Sequence, residues 1–454
     1  KNTHVSDVTR RIKVTDLDAA TVYDHWKHLV LNCSDVQAKR VHIGAGIDKF
    51  STPKRFASHY MAILDDTSAY EEGKLYAQTF ASPPLSIEAY FPVECRSNDK
   101  ACVIGRIEKP KRNARRQALK HTDPKMVFVR TCVQEFLQFV LPTDGPHIHT
   151  GVPFSADEVE LRQQGKLQRL RNENGRMESG YEMKVKAFQK REAYGTINDP
   201  RNISTVPHAH NVRLSGFTYQ MKETVLKNMA WYVPSRTPTE IAQSVLLLAK
   251  QNDTLVETDF SRFDGHFTTE TRRLIEFAVY KRFFRPEYHS ELDSLLENEI
   301  TAPCMTRNGI KYFADGSRLS GSPLTTDGNT MTSAFVSYLA SRLQNLAPQK
   351  AWSEIGLCYG DDMVKGGLTR DENLINAATS LGFTLKIEKR AQRHESVSFL
   401  SRIYSDPWMS PSSIQSPLRT LLKLHTTCNA QNPVGESGIA KAQAYLVTDS
   451  KTPE

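Results

Sequence analysis

Asp259 and Asp264, at the two ends of Asp259-Phe-Ser-Arg-Phe-Asp264, and the adjacent pair Asp361-Asp362 after Gly360 are the residues of this chain best suited to do chemistry. Carboxylates suit hard divalent cations such as Mg²⁺, which typically takes one or two of them together with substrate phosphates. Two such ions about 3.5–4 Å apart stabilise both the attacking and the leaving oxygen of an in-line displacement. The chemistry this set could support is therefore two-metal phosphoryl transfer. Taken one at a time, each stretch also fits an ordinary polar turn or a capping residue, so the elements that carry them decide the matter.

Thr254-Leu-Val-Glu-Thr258 reads as a strand, which puts Asp259 at a strand end and Asp264 in the turn after it. Around Gly360-Asp361-Asp362, two short apolar runs flank a Gly-Asp turn, the signal of a β-hairpin. Between the acidic stretches lies Ser320-Gly321-Ser-Pro-Leu-Thr325-Thr-Asp-Gly-Asn329, running into a helix with an apolar period from Met331 to Leu343. A glycine before a helix start allows a loop with positive φ, and Asn329 falls in the first turns with its amide free to hydrogen-bond something polar beside Asp264. The pattern predicts a strand over 254–260, helices over 268–284 and 326–343, a hairpin over 354–365, a helix over 372–381 and a strand over 384–388. Thr268 opens the first of these helices and Pro286 marks its end, while Gly382 stops the 372–381 helix.

In this order and spacing the residues resemble the RNA-dependent RNA polymerases of positive-strand RNA viruses. Asp259 and Asp264 match that family's motif A; Ser320, Gly321, Thr325 and Asn329 match motif B; Asp361 and Asp362 match motif C. Lys184-Val-Lys186-Ala-Phe-Gln-Lys190-Arg191 and Asp199-Pro-Arg201 resemble the basic motif F, and Thr384-Leu-Lys386-Ile-Glu388 resembles motif D, with Lys389 close enough to compete for the role of Lys386. Ser398-Phe-Leu-Ser-Arg402-Ile-Tyr404 resembles motif E. The wording around Asp259 is similar to the nodavirus and tombusvirus-like branches, and most of all to a nodavirus replicase polymerase domain.

The resemblance implies an α+β right-hand polymerase with fingers, palm and thumb, its antiparallel palm sheet packed on helices. It places the N-terminal extension and fingers in 1–245, the palm in 246–408 with a return to the fingers near 285–319, and a short or incomplete thumb in 409–454. Asp259, Asp361 and Asp362 are the implied ligands of two Mg²⁺ ions, with Mn²⁺ able to substitute. One metal activates the primer 3′-hydroxyl and the other binds the incoming triphosphate. Lys186, Lys190, Arg191 and Arg201 are implied to neutralise that triphosphate, because Arg binds phosphate bidentately and Lys supplies a point charge. Asp264, Asn329 and Ser320 read the ribose 2′-hydroxyl, the group that marks RNA, and Lys386 gives a proton to departing pyrophosphate. The implied partners are template and product RNA, NTPs and other parts of a larger replicase. Membrane contact comes only through regions outside this chain, in membrane-associated replication complexes of the host cytoplasm. Two alternatives remain: a reverse transcriptase, which would exclude the 2′-hydroxyl, and a catalytically silent RNA-binding subunit.

Composition agrees. A chain of 454 residues can build two or three subdomains, and its formal net charge of +8 suits a polyanion. Arg106, Lys109, Lys111, Arg112, Arg115, Arg116, Lys120 and Lys125 crowd one stretch and read as a template-entry or product-exit surface. Seven cysteines without a Cys-x-x-Cys pair point to a reducing compartment. His147/His149 and His208/His210 could set ligands on one face of a strand, but no Cys or carboxylate stands at metal spacing. No apolar run approaches the ~20 residues that cross a bilayer. The first residue is Lys1, so the chain reads as a piece of a larger protein.

Overall fold

The computed structural model describes residues 99–175, 181–190 and 200–416, with the short pieces 78–79, 93–94, 193–194, 420, 426–427 and 433–449. The chain divides into two units. One comprises Lys1–Cys102, Gln189–Asn202 and Ile414–Glu454. Its described parts include antiparallel pairings of Gln78–Thr79 with Thr426–Thr427 and of Val93–Glu94 with Ala193–Tyr194, and a helix over Val434–Asp449.

The other unit, Val103–Phe188 with Ile203–Ser413, carries the acidic residues. It begins with a π turn at Ile104–Glu108, α1 (Lys109–Gln117) and α2 (Pro124–Val140). Asp123 caps α2 by accepting from the Lys125 N–H, and Pro124 sits in the first turn, where a missing N–H costs nothing. Then come β1 (Val185–Gln189), β2 (Asn202–Thr205), α3 (His208–Thr224) and α4 (Pro238–Lys250), the last opened by a Thr237–Glu240 capping box.

β3 (Thr254–Phe260) leads into a one-turn helix, α5 (Phe263–His266). A helical rod follows, made of Thr269–Arg272, a π turn at Arg273–Phe277 and Ala278–Phe283. Thr268 caps it by accepting from the Thr271 N–H. The predicted helix over 268–284 is thus present but locally widened. Next are α6 (His289–Thr301), β4 (Pro303–Thr306), β5 (Lys311–Phe313) and α7 (Thr325–Leu343). The segment closes with β6 (Leu357–Tyr359), β7 (Asp362–Gly366), α8 (Asp371–Ser380), β8 (Leu385–Gln392), β9 (Val397–Phe399) and β10 (Arg402–Tyr404).

Two four-stranded sheets result, one ordered β8-β3-β7-β6 and antiparallel throughout, the other β2-β1-β4-β5. β4 runs parallel to β1 and antiparallel to β5, so the chain between the rod and α7 leaves the first sheet and completes the second. β3 is central in its sheet and buries Leu255, Val256, Glu257 and Thr258 in succession, as a strand covered on both faces must. α7 packs on β6 and α8 and is buried on every side from Asp327 to Ser341. Several of its polar side chains bond internally: Tyr232 donates to Asp327 Oδ1 at 2.6 Å, and Ser337 to the Ile355 carbonyl at 2.8 Å, while Asp327 Oδ2 has no hydrogen-bond partner among the described residues. Phe136 of α2 meets Phe335 of α7 edge-on, with centroids 5.5 Å apart.

Three local expectations change. The strand predicted over 384–388 continues to Gln392, because a bulge at Glu388 lets the ladder with β3 resume at Lys389. His208 and His210 begin a helix behind Pro207 rather than lying on a strand. The basic run from Arg106 to Lys125 is only partly surface: Lys111 is buried, donating to the Phe313 carbonyl at 3.0 Å and pairing with Glu108 at 3.1 Å. Among the described residues Cys102, Cys132, Cys304 and Cys358 are buried and form no disulfide, and no helix is long and apolar enough to cross a membrane.

Candidate active site

Register brings the acidic residues together. β7 pairs with β3 through Met363 opposite Thr258 and Val364 opposite Glu257, which carries Asp362 to the end of β3 where Asp259 stands. On the other flank of β3, Lys386 is the direct partner of Asp259. Asp259 is half-buried. Its carboxyl is pushed above its ordinary value by burial and then by the charges of Asp361 and Glu388, while Lys386 pulls it down. Asp361, exposed at the hairpin tip, is therefore close enough to repel Asp259, and a divalent cation between them would relieve that repulsion. Among the described residues no group of three or more His, Cys, Asp or Glu side chains is drawn together so as to hold a metal ion by itself. An open set of carboxylate oxygens still fits Mg²⁺, which fills the remainder of its shell with water and substrate phosphate.

The hairpin tip is held by α7. Gly360 adopts φ 62°, the left-handed region glycine favours. Its N–H donates to Thr330 Oγ1 at 2.9 Å, and its carbonyl accepts from Ser333 Oγ at 2.5 Å. Both backbone groups of the residue before Asp361 are thus clamped by one helix.

Asp264 lies on α5, entered through Arg262 at φ 50°. Asn329 Nδ2 donates to Asp264 Oδ1 at 2.9 Å, so the amide bonds Asp264 itself rather than a group beside it. The backbone joins the two segments as well, with Arg318 N–H donating to the Asp264 carbonyl at 2.8 Å. Gly265 is required by close approach: a Cβ there would lie 2.2 Å from the Arg106 carbonyl oxygen.

Ser320 accepts the Ser204 N–H on its Oγ at 2.9 Å, tying the loop to β2. Gly321 is a glycine for a reason other than the positive φ expected of it. It does not have positive φ; a side chain is excluded because a Cβ would stand 2.0 Å from the Ser204 carbonyl oxygen. Thr325, the first residue of α7, donates its hydroxyl to the Leu319 carbonyl at 2.7 Å and so closes the loop on itself.

Lys386 and Lys389 are separated by the bulge. Lys386 is exposed opposite Asp259, whereas Lys389 Nζ donates to the Ser396 carbonyl at 2.5 Å. Arg402 is held on Ser413, donating to its hydroxyl and its carbonyl at 2.8 Å each. Lys186 is exposed on β1, which belongs to the second sheet. Lys190 and Arg201 fall in the other unit, where the Lys190 N–H donates to the Arg201 carbonyl at 2.8 Å, and Arg191 lies outside the described residues.

Sequence reasoning missed Thr330 and Ser333, Glu388, and the buried pair Arg318 and Glu276. The three-residue spacing of Thr330 and Ser333 on a helix facing the hairpin was a usable signal. So was the same-face spacing of Lys386 and Glu388. Nothing local marks Glu276.

An antiparallel sheet with carboxylates at the junction of a strand end and a hairpin tip, backed by helices, defines a right-hand nucleic-acid polymerase. The chain belongs to the viral RNA-dependent RNA polymerase family, whose sequence profile matches residues 202–446. It is 48% identical over 455 aligned residues to the RNA-directed RNA polymerase of Greasy grouper nervous necrosis virus, covering 100% of this chain and 44% of that protein. It is 30% identical to that of Nodamura virus over 84% of this chain and 36% of the relative. The chain thus spans less than half the length of these relatives. In fold it is similar to an insertion-loop deletion mutant of the RNA-dependent RNA polymerase of a human picobirnavirus, with a TM-score of 0.61 at 12% identity over 100% of this chain and 87% of that one.

Proposed function

We propose that this chain is the catalytic polymerase portion of a viral replicase, extending an RNA strand on an RNA template from NTPs. The observation that carries the reading is the meeting of Asp259 with Asp361 and Asp362 through the β3–β7 register, with Asp264 and Asn329 hydrogen-bonded in the turn that follows. Two Mg²⁺ ions, or Mn²⁺ in their place, would be held by Asp259, Asp361 and Asp362 and would neutralise the charge that builds on the phosphoryl oxygens. The primer 3′-hydroxyl oxygen bonds to the α-phosphorus, its proton passes to water, and the bond to the bridging oxygen breaks. Lys386 Nζ donates a proton to the leaving pyrophosphate. Lys186, Lys190, Arg191 and Arg201 neutralise the triphosphate, and positioning with charge stabilisation supplies most of the acceleration. Asp264 and Asn329, with Ser320, would read the ribose 2′-hydroxyl.

In this reading residues 1–245 form the N-terminal extension and fingers, 246–408 the palm and 409–454 a short thumb. Template and product RNA are the partners, with other parts of the replicase, and the site of action is a membrane-associated replication complex in the host cytoplasm. The test is primer extension on a defined RNA with Mg²⁺. Asp361→Asn should abolish incorporation while RNA binding by filter retention persists; near-parental synthesis by that variant refutes the metal assignment.

A further inference from the structure

The Asn329 amide has a direction, and a buried charge chain imposes it. Arg318 Nε, which can only donate, meets Asn329 Oδ1 at 2.9 Å, so the amide nitrogen must point the other way, to Asp264 Oδ1 at 2.9 Å. The guanidinium itself is fixed on two sides. Its two terminal nitrogens donate to both oxygens of Glu276, at 3.2 and 2.6 Å, and its carbon lies 4.3 Å from the centroid of the Phe267 ring.

Glu276 stands in the π turn of the helical rod, and such turns frequently occur at functional sites. It also accepts from Arg272 Nε at 2.5 Å, and Arg272 reaches Glu299 at 3.1 Å. His210 Nε2 lies 3.3 Å from the other oxygen of Glu299. Although burial pushes the Glu299 carboxyl up, the His210 hydrogen bond and the Arg272 charge hold it down at about 2. Arg272, Glu276, Glu299 and His210 have no exposed surface and Arg318 has 2%. Four charged side chains in the interior need partners in good geometry, and each has at least one here, although Arg272 Nη1 has none among the described residues. Gly328 gives independent support: a Cβ there would lie 2.3 Å from Glu276 Oε2 and 2.7 Å from an Arg318 nitrogen. The glycine beside Asn329 exists to let the ion pair press against the backbone of α7.

We propose that Arg318 is a positioning residue for sugar selection, holding Asn329 so that its amide presents nitrogen, never oxygen, to Asp264, with Glu276 and the buried chain behind it setting the guanidinium. The proposal rests on the reading of Asp264 and Asn329 as the ribose sensor. Arg318→Lys keeps a cation for Glu276 but cannot hold its carboxylate bidentately and also donate sideways to Asn329.

The experiment compares kcat/KM for NTP with that for the matching 2′-deoxy-NTP in Arg318→Lys, Gly328→Ala, Asn329→Ala and Arg318→Lys/Asn329→Ala, with melting curves for each. Asn329→Ala should collapse the ratio toward unity. Arg318→Lys and Gly328→Ala should each lower it by about tenfold or more, since a misaligned site forfeits its preference for the hydroxyl. In the Asn329→Ala background, Arg318→Lys should change the ratio no further, which a general loss of stability would not produce. If Asn329→Ala leaves the ratio untouched, the sensor reading itself fails. If Asn329→Ala lowers it while Gly328→Ala, or a folded Arg318→Lys, keeps the parental ratio, the positioning role is refuted and the sensor reading stands.

Discussion

Lys386 is the direct cross-strand partner of Asp259, with the bulge at Glu388 setting Lys389 apart from it and onto Ser396. Of the two lysines that the sequence offers for proton donation, only Lys386 shares its ladder position with an acidic residue of the site. Lys386→Leu should therefore lower single-turnover incorporation by about 10²-fold, the lower end for a general acid, and Lys389→Leu should change it little. Quench-flow measurement of one nucleotide addition decides; the reverse ranking overturns the assignment.

The raised carboxyl of Asp259 is a stability statement with a definite sign. A carboxylate whose folded pKa lies above its unfolded value of about 3.8 binds its proton more tightly in the folded protein, so folding carries a penalty when it ionises. That penalty is absent below pH ~4 and complete above the folded pKa. Asp259→Asn should accordingly raise Tm at pH 7 in EDTA, with the gain fading as pH approaches 4. Adding Mg²⁺ should raise the parent's Tm and leave the variant's unchanged. A variant that melts below the parent at pH 7 contradicts the account.

Lys365 provides a second titration of opposite kind. It is fully buried on β7, and burial lowers its ammonium to about 7, with Ser341 at 3.3 Å and Thr369 at 2.9 Å as acceptors. A lysine whose folded pKa falls below its unfolded value costs nothing above pH ~10.4, and its penalty grows as pH drops, to its full size below about 7. Ser341 and Thr369 hydrogen-bond each other at 3.0 Å, so they keep a partner when the ammonium is removed. Lys365→Met should stabilise the protein by on the order of 1–4 kcal/mol at pH 7, with the gain vanishing toward pH 10. Urea melts at the two pH values provide the comparison.

The clamp on Gly360 predicts a loss of activity without a change of charge. Thr330→Val orphans the Gly360 N–H, and Ser333→Ala removes the donor to its carbonyl. Each should cost about 1–3 kcal/mol of stability, the penalty of an unsatisfied buried group. Because the released residue precedes Asp361, kcat should fall further than KM rises. Parental kcat in the double variant would show that the turn holds its shape unaided.

Gly321 is a test of packing rather than of flexibility. Gly321→Ala forces a methyl against the Ser204 carbonyl and should lower stability by roughly 1–3 kcal/mol, as overpacking does. An alanine tolerated at parental Tm would mean that β2 and the loop can separate.

Much of this protein was legible along the chain, because hydrophobic period and turn chemistry are local properties. Thr254–Phe260, Asp371–Ser380 and the Gly360 hairpin could be read from a few neighbouring residues each, and the spacing put the Asn329 amide near Asp264 without showing that the two bond each other. The sequence by itself also determined the acidic set and its family. What only the tertiary structure decided depends on partners far apart in the chain. The bulge at Glu388 separates the two lysines, the Ser204 carbonyl rather than a positive φ makes residue 321 a glycine, and burial draws His210, Arg272, Glu276, Glu299 and Arg318 into one polar chain. A glutamate on an amphipathic helix looks the same in sequence whether it faces water or an arginine, and only packing settles which.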